Sequence, residues 1–213
     1  MTVYNDALAD YITQTFARPD KVLEKVTKGI ADNGMPAITV RPEEGRFLQL
    51  LARAVGARRV VEIGTLGGYS GIWLARALPD GGRLITLEME PRHAEVARSH
   101  FALAGVEGRV EVRLGNAHQL LPALAAEGPF DMCFIDADKE GYGAYLDWAL
   151  ANVRRGGIIA AHNAFRRGAI IDPQDTTDDT QAMRAFNRRF AEEPRLLSTV
   201  FPAGDGMLAG LVA

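Results

Sequence analysis

Four polar residues follow two apolar stretches in the second half of the chain, and their types suit chemistry on a hydroxyl group. Asp136 and Lys139 come directly after one apolar run, and His162 and Asn163 come directly after the next. A carboxylate, an imidazole and an amide oxygen that converge from neighbouring strand ends predict a small metal site. Partial burial beside a cation would lower the pKa of Lys139 and let it take a proton from a hydroxyl nucleophile. The alternative is a surface ion pair between Asp136 and Lys139, with His162 capping a strand.

An earlier stretch is typical of a nucleotide-binding turn, because an apolar strand meets Gly64 and a helix begins near Tyr69. Glycine lets a ligand approach the backbone, and the helix start turns free N–H groups towards it. A dinucleotide fingerprint, G-x-G-x-x-G, requires glycine where Leu66 and Tyr69 stand, which disfavours an NAD-linked oxidoreductase. Glu62, just before the turn, suits a ligand with an ammonium group better than a pyrophosphate. The turn therefore favours S-adenosylmethionine.

Two further signals follow the next two strands. Glu88 stands 24 residues beyond Gly64, at a strand end where an acid can accept hydrogen bonds from both ribose hydroxyls. The segment 115–118, GNAH, is placed to edge the adenine ring. The alternative for Asn116 is a plain helix N-cap.

These residues must be positioned by an alternation of strands and helices. The predicted strands are 59–63, 83–87, 109–114, 130–135 and 157–161. The helices predicted between them are 69–78, 91–104, 117–126 and 142–153, after amphipathic segments at 8–16 and 22–30 and a helix at 43–55. Such alternation specifies a parallel sheet covered by helices on both faces. The tail predicts a helix at 180–191 and an edge hairpin of strands 195–201 and 207–212.

Composition favours one soluble α/β domain spanning residues 1–213, since 47% of the residues are hydrophobic. The formal net charge of −3 predicts no nucleic-acid partner and no attraction to an anionic membrane. Cys133, the only cysteine, lies in an apolar run and predicts a buried thiol in a reducing compartment. With no apolar run of ~20 residues and no signal-peptide pattern, the predicted location is the cytoplasm.

Taken together, the motifs resemble class I S-adenosylmethionine-dependent O-methyltransferases of the cation-dependent, catechol/caffeoyl-CoA-like family, in its bacterial branch. The resemblance covers almost the whole chain. Its motifs are MPxxxV at 35–40, EIGTxxGYS at 62–70, IDADK at 135–139 with Tyr142 and Tyr145, and GDGM at 204–207.

The resemblance implies a Rossmann-like, doubly wound seven-stranded sheet, mostly parallel with an antiparallel edge hairpin and helices on both faces. It also implies a homodimer, with the helices of residues 1–56 forming part of the pocket or of the dimer interface. The residues expected around S-adenosylmethionine are Val40, Glu62, Gly64, Ser70, Glu88, Ala117 and Asp136. Lys139 would be the general base, and Asp136, His162 and Asn163 would hold a divalent metal ion.

One position departs from the family pattern, because His162 stands where the family usually has aspartate. An imidazole in place of a carboxylate weakens a Mg²⁺ site and favours Mn²⁺, Fe²⁺, Co²⁺ or Ni²⁺. Alternatively the metal is lost and His162 itself is the catalytic base. The next residues also depart: Arg166 and Arg167 are predicted to border the acceptor pocket and bind an acidic group, or else to be solvated or paired with the acidic loop 172–179.

The sequence thus predicts methyl transfer from S-adenosylmethionine to a hydroxyl of a small, phenolic or catechol-like molecule, assisted by a metal at an altered site. The alternative is a metal-independent methyltransferase that uses His162 or Lys139 as base on a non-catechol acceptor. The predicted partner is that small hydroxylated acceptor.

Overall fold

A computed structural model describes residues 5–213, so the first four residues of the predicted amino-terminal region lie outside the described chain. The described chain forms one seven-stranded sheet in the order β3-β2-β1-β4-β5-β7-β6. The strands are β1 (Arg59–Ile63), β2 (Arg83–Glu88), β3 (Val110–Leu114), β4 (Phe130–Ile135), β5 (Val153–Ala161), β6 (Leu196–Phe201) and β7 (Met207–Val212).

Strands β1 to β5 run parallel, and β7 pairs antiparallel with both β5 and β6. The predicted fold class, a doubly wound sheet with an antiparallel edge hairpin, is therefore confirmed. The order reverses at β1, from which β2 and β3 extend to one side and β4 and β5 to the other. Ligands of open α/β sheets bind outside the carboxyl ends of the strands at such a reversal.

Helices cover both faces of the sheet. They are α1 (Asp6–Phe16), α2 (Lys21–Asp32), α3 (Pro42–Ala54), α4 (Tyr69–Ala77), α5 (Pro91–Leu103), α6 (Ala117–Leu124), α7 (Tyr142–Asn152) and α8 (Asp178–Glu192). Within residues 5–213, no helix combines the length and the apolar character that a membrane crossing requires.

Strand residues alternate between two hydrophobic clusters, as a period of two requires. Met132 and Phe134 of β4 pack with α2 to α5, whereas Cys133 and Ile135 pack with α6 to α8. Cys133 is fully buried, and burial raises the pKa of its thiol. The central strands are covered on both faces and held in fixed register, which gives the strand ends a rigid base.

The main boundary error concerns β5, which begins at Val153 and not at residue 157. Its register against β4 shifts between Phe130 and Met132, so the glycine-containing segment 154–157 accommodates an irregularity inside a strand. Strand β3 begins one residue later than predicted, because a 3₁₀ turn, Glu107–Arg109, precedes it.

Candidate active site

A cleft of about 1120 Å³ opens at the carboxyl ends of the parallel strands. Each of the strands β1 to β5 contributes the residues that directly follow it or end it. The segment 36–41 and Glu44 of α3 form the opposite wall. The cleft therefore joins the predicted nucleotide-binding turn to the predicted chemical residues.

The turn after β1 requires glycine at one position in particular. Gly64 has φ +99°, and a Cβ placed there would lie 2.0 Å from the main-chain oxygen of Asp136. The amide of Asp136 donates to the main-chain oxygen of Ile63 at 2.8 Å, so the ends of β1 and β4 are in direct contact. Any side chain at Gly64 would push the turn after β1 away from Asp136.

Glu88, at the end of β2, fixes the same turn from the other side. Its Oε2 accepts the N–H groups of Thr65 at 3.2 Å and Leu66 at 2.8 Å, and its Oε1 accepts the N–H of Glu90 at 2.9 Å. The carboxylate also lines the cleft. Glu88 is thus in the place predicted for a ribose acceptor and has an additional structural role.

Glu62 lies beneath the turn and is not among the cleft-lining residues. Its side chain is fully buried, and its two oxygens accept hydrogen bonds from the hydroxyls of Ser70 and Thr86, each at 2.7 Å. Burial raises the pKa of Glu62 to about 7, although both hydroxyls oppose the shift. Ser70 does line the cleft, so Glu62 connects to it through that hydroxyl.

The remaining predicted cofactor residues, Val40 and Ala117, line the cleft. Asn116 lines it as well, and its Oδ1 accepts the N–H of His118 at 2.9 Å at the start of α6. The N-cap interpretation of Asn116 is confirmed, and it does not remove the residue from the cleft wall.

Asp136 and Lys139 meet inside the cleft and not at an open surface. The Nζ of Lys139 lies 3.5 Å from Asp136 Oδ1, and donates to the main-chain oxygen of Ala137 and to the hydroxyl of Tyr142, each at 2.8 Å. The side chain of Lys139 is 11% exposed. Burial lowers the pKa of Lys139, and the neighbouring Asp136 only partly offsets this effect.

His162 lies between two carboxylates. Its Nδ1 is 3.2 Å from Asp136 Oδ2, and its Nε2 is 2.9 Å from Glu44 Oε1. The side chains of His162 and Glu44 are 4% and 1% exposed. Burial alone lowers the pKa of His162, but the two carboxylates outweigh burial and raise it to about 10.

Asn163 points its amide towards the turn between β6 and β7. Its Nδ2 donates to Asp205 Oδ2 at 2.9 Å, and its backbone is left-handed with φ +62°. The main chain continues this contact, because the N–H groups of Ala164 and Phe165 donate to the main-chain oxygens of Gly206 and Asp205. The hairpin thereby holds the loop that follows β5.

The predicted metal ligands do gather at one edge of the cleft, but their donor atoms do not fit a divalent ion. A histidine ligand must be neutral with a free ring lone pair, whereas both ring nitrogens of His162 face carboxylate oxygens. The contact of Asn163 with Asp205 uses the amide N–H group and leaves the question of a metal site to His162. Across residues 5–213, no cluster of three or more His, Cys, Asp or Glu side chains is arranged to hold a metal ion.

The loop after β5 brings Arg166 and Arg167 to the cleft wall, both with positive φ. Arg166 pairs with Asp179 Oδ2 at 3.1 Å, so the acidic segment 172–179, which ends in the first turn of α8, does supply a partner. Arg167 uses its main-chain N–H to contact the carboxylate of Asp205. The guanidinium of Arg167 therefore remains a candidate for contact with an acceptor.

Two groups in the site were missed by the sequence-based predictions. Glu44 was interpreted only as part of a helix start, and Asp138 received no role. Asp138 accepts hydrogen bonds from the hydroxyl of Tyr145 at 2.6 Å and the N–H of Gly141 at 2.9 Å. Tyr145 stacks on His118 with ring centroids 4.8 Å apart and lines the cleft, which gives the cleft an aromatic side chain.

Comparisons with known proteins identify the family of the chain. The family model described as O-methyltransferase matches residues 13–211. A catechol O-methyltransferase of Niastella koreensis is 44% identical over 214 residues, with 97% of each chain covered. A catechol O-methyltransferase of Mycobacterium tuberculosis is 46% identical, covering 95% of this chain and 93% of the relative.

A solved structure is also similar to this chain. The O-methyltransferase from Bacillus cereus in complex with SAH has a TM-score of 0.90 and 42% identity, with 97% of both chains covered. The predicted resemblance is confirmed by sequence and by structure. The chain belongs to the O-methyltransferase family.

Proposed function

We propose that this enzyme transfers the methyl group of S-adenosylmethionine to a hydroxyl oxygen of a small phenolic molecule. The observation that carries the proposal is one continuous cleft, which is lined by Glu88 and the Gly64 turn and also by Lys139 and Tyr145. Two relatives named catechol O-methyltransferase and a related structure that holds SAH support it.

The cofactor would lie across the turn after β1. Glu88 would accept the ribose hydroxyls, as an acid at this strand end does in related sheets. Val40 and Ala117 would contact the nucleoside, and Ser70 would connect the methionine end to the buried Glu62. Asp136, the wall residue between the two ends, would lie where the sulfonium meets the acceptor.

Lys139 would take the proton of the acceptor hydroxyl. As the acceptor oxygen forms its bond to the methyl carbon, the bond from that carbon to sulfur breaks and its electron pair stays on sulfur. S-adenosylhomocysteine results, and the hydroxyl proton moves to Nζ of Lys139 and later to solvent. The lowered pKa of Lys139 supports this role, because a base must spend time in its neutral form.

Tyr145 would pack against a phenolic ring, and Arg167 would pair with an acidic group on the acceptor. His162 is a poor candidate for the base, because both ring nitrogens already face carboxylates. A divalent ion (Mn²⁺, Fe²⁺, Co²⁺, Ni²⁺ or Mg²⁺) would lower the pKa of the acceptor hydroxyl, but the donor set does not fit one. The metal-independent alternative is therefore favoured.

We further propose a cytoplasmic homodimer. Apolar side chains on the amino-terminal helices and the segment that follows α2 are exposed, which suits a second copy of the chain. They are Leu8, Tyr11, Phe16, Ile38 and Leu50. Sedimentation of the wild type and of a Phe16→Ser variant would test this, and a monomeric wild type would contradict it.

The methyltransferase proposal is tested by calorimetry and by mass spectrometry. S-adenosylhomocysteine should bind and NAD should not. Incubation with S-adenosylmethionine and a panel of phenols and catechols should add one methyl group to an acceptor hydroxyl. Lys139→Met should abolish turnover, whereas Lys28→Met, at an exposed ion pair with Asp32, should not. Binding of NAD without binding of S-adenosylhomocysteine would refute the proposal.

A further inference from the structure

The contact between His162 and Glu44 joins two parts of the chain that are 118 residues apart. His162 follows β5, Glu44 lies in the first turn of α3, and Asp136 follows β4. The three side chains form a row, carboxylate–imidazole–carboxylate, at the wall of the cleft. We call this row the His162 clamp.

In the clamp, each ring nitrogen of His162 lies within hydrogen-bond distance of a carboxyl oxygen, and with both acids ionised each nitrogen must carry a hydrogen. A neutral imidazole donates from one nitrogen and presents a lone pair on the other. In either neutral tautomer, one lone pair would face a carboxylate oxygen at 2.9 or 3.2 Å. Only the imidazolium donates to both carboxylates. Because Glu44 is 1% exposed, a cation beside it also offsets the cost of burying its charge.

A divalent ion and this clamp exclude each other. A metal would need a lone pair on a ring nitrogen and an open oxygen on Asp136. Freeing either nitrogen of His162 would leave Glu44 or Asp136 without its present partner. The turn 204–206 closes over Glu44, since a Cβ on Gly204 would lie 2.3 Å from the Glu44 carboxyl carbon. Glu44 is thereby held against His162.

We propose that His162, held at both ring nitrogens by Asp136 and Glu44, has no lone pair free for a divalent metal ion and that methyl transfer proceeds without one. The second half of the proposal rests on the methyltransferase function proposed above. His162 and Glu44 are positioning residues: they hold Asp136 in place beside Lys139, whose Nζ lies 3.5 Å from Asp136. The acceptor would approach that wall as a hydroxyl and not as a metal ligand.

The first test measures metal dependence of catalysis. Wild-type enzyme freed of metal with EDTA is assayed with S-adenosylmethionine and catechols, with and without Mg²⁺, Mn²⁺, Co²⁺ or Ni²⁺. We expect kcat/KM to change by less than about 2-fold. His162→Asp replaces the imidazolium by a carboxylate, so this variant should lose ~10²-fold or more in EDTA and recover with an added ion. Wild-type activity that disappears in EDTA and returns with an ion would overturn the proposal.

The second test does not depend on activity. In ¹⁵N-histidine-labelled enzyme bound to S-adenosylhomocysteine, both ring nitrogens of His162 should show a directly bonded hydrogen. Glu44→Leu, which removes the acceptor at Nε2, should remove the signature at that nitrogen. Glu43→Gln, at the neighbouring buried glutamate that instead pairs with Arg41, should preserve it. Calorimetry with MnCl₂ should show no binding to the wild type and binding to His162→Asp.

The outcomes separate the two proposals. A His162 ring with a single bonded hydrogen, or Mn²⁺ bound by the wild type at His162, would overturn the clamp. If no acceptor is methylated under any condition, the methyltransferase proposal fails, while the nitrogen spectra and the metal titration still decide whether His162 is available to a divalent ion.

Discussion

The buried acid Glu62 gives the most quantitative prediction. Its carboxylate is fully buried beneath the turn that follows β1 and accepts hydrogen bonds from two hydroxyl groups. Among the described residues, no cationic side chain forms an ion pair with it. Replacement by glutamine keeps the shape and removes the charge. We expect Glu62→Gln to be more stable than the wild type above neutral pH and to lie within about 1 kcal/mol of it at pH 5.

The size of the effect follows from the pKa of Glu62, which burial raises from 4.5 to about 7. A difference of about 2.5 units corresponds to about 3 kcal/mol in the free energy of unfolding. Below pH 4.5, Glu62 is protonated in both the folded and the unfolded state, so it does not lower the free energy of unfolding. Between pH 4.5 and 7 only the unfolded state releases the proton, so stability falls with rising pH. Above pH 7 the folded state carries the full cost.

Urea denaturation at pH 5 and pH 8 measures this effect without cofactor. At pH 8 the Glu62→Gln protein should gain about 2–3 kcal/mol over the wild type, or roughly 5–10 °C in Tm for a chain of this size. Comparing the two proteins cancels the titration of all other groups. Glu95→Gln removes a carboxylate at an exposed position of α5. In this control variant, the free energy of unfolding should differ between pH 5 and pH 8 by the same amount as in the wild type. If the free energy of unfolding of Glu62→Gln also changed between pH 5 and pH 8 as it does in the wild type, burial of the Glu62 charge would not be destabilising and the argument would be refuted.

Three further predictions concern the cleft. Glu88→Ala should weaken binding of S-adenosylhomocysteine by about 1.5–3 kcal/mol in calorimetry, and unchanged affinity would remove the ribose role. Lys139→Ala should lower kcat by ~10²–10⁴ while the Kd for S-adenosylhomocysteine stays the same, and an active variant would transfer the base role elsewhere. Gly204→Ala should lose activity, because its Cβ would press on the buried Glu44 carboxyl group. Gly34→Ala is the control: Gly34 has a similar left-handed φ but open space around it, so this variant should lose only about 1 kcal/mol in the free energy of unfolding. Equal activity in both alanine variants would contradict the role of Glu44.

Much of the site could be predicted because parallel strands end at a common edge. Once β1, β4 and β5 are recognised as neighbours, Gly64, Asp136 and His162 must lie close together. The turn after β1 was also predictable, because a glycine directly after an apolar strand indicates a place without room for a side chain. In the structure, a Cβ at Gly64 would meet the main chain of Asp136. Local pattern and sheet topology suffice for these contacts.

Glu44 could not be found in this way. Its local pattern, an acid in the first turn after Pro42, is fully explained by the helix dipole and by a capping box. Its second contact is with His162, and only the packing of α3 against the sheet edge brings the two together. Asp205 was hidden for the same reason, since a polar residue between two glycines is sufficiently explained by a turn.

The two oxygens of Glu44 link the amino-terminal layer to the chemistry. Oε2 accepts the N–H of Arg41 at 2.7 Å and completes the start of α3, while Oε1 contacts His162. A carboxylate used at both oxygens cannot turn towards a metal without giving up the helix cap or the imidazole. His162 in turn contacts Asp136, whose neighbour is Lys139. The start of α3, the end of β5 and the proposed base are therefore connected by charge-assisted hydrogen bonds, and an exchange of the imidazole for a carboxylate would place like charges together at the centre of that chain of contacts.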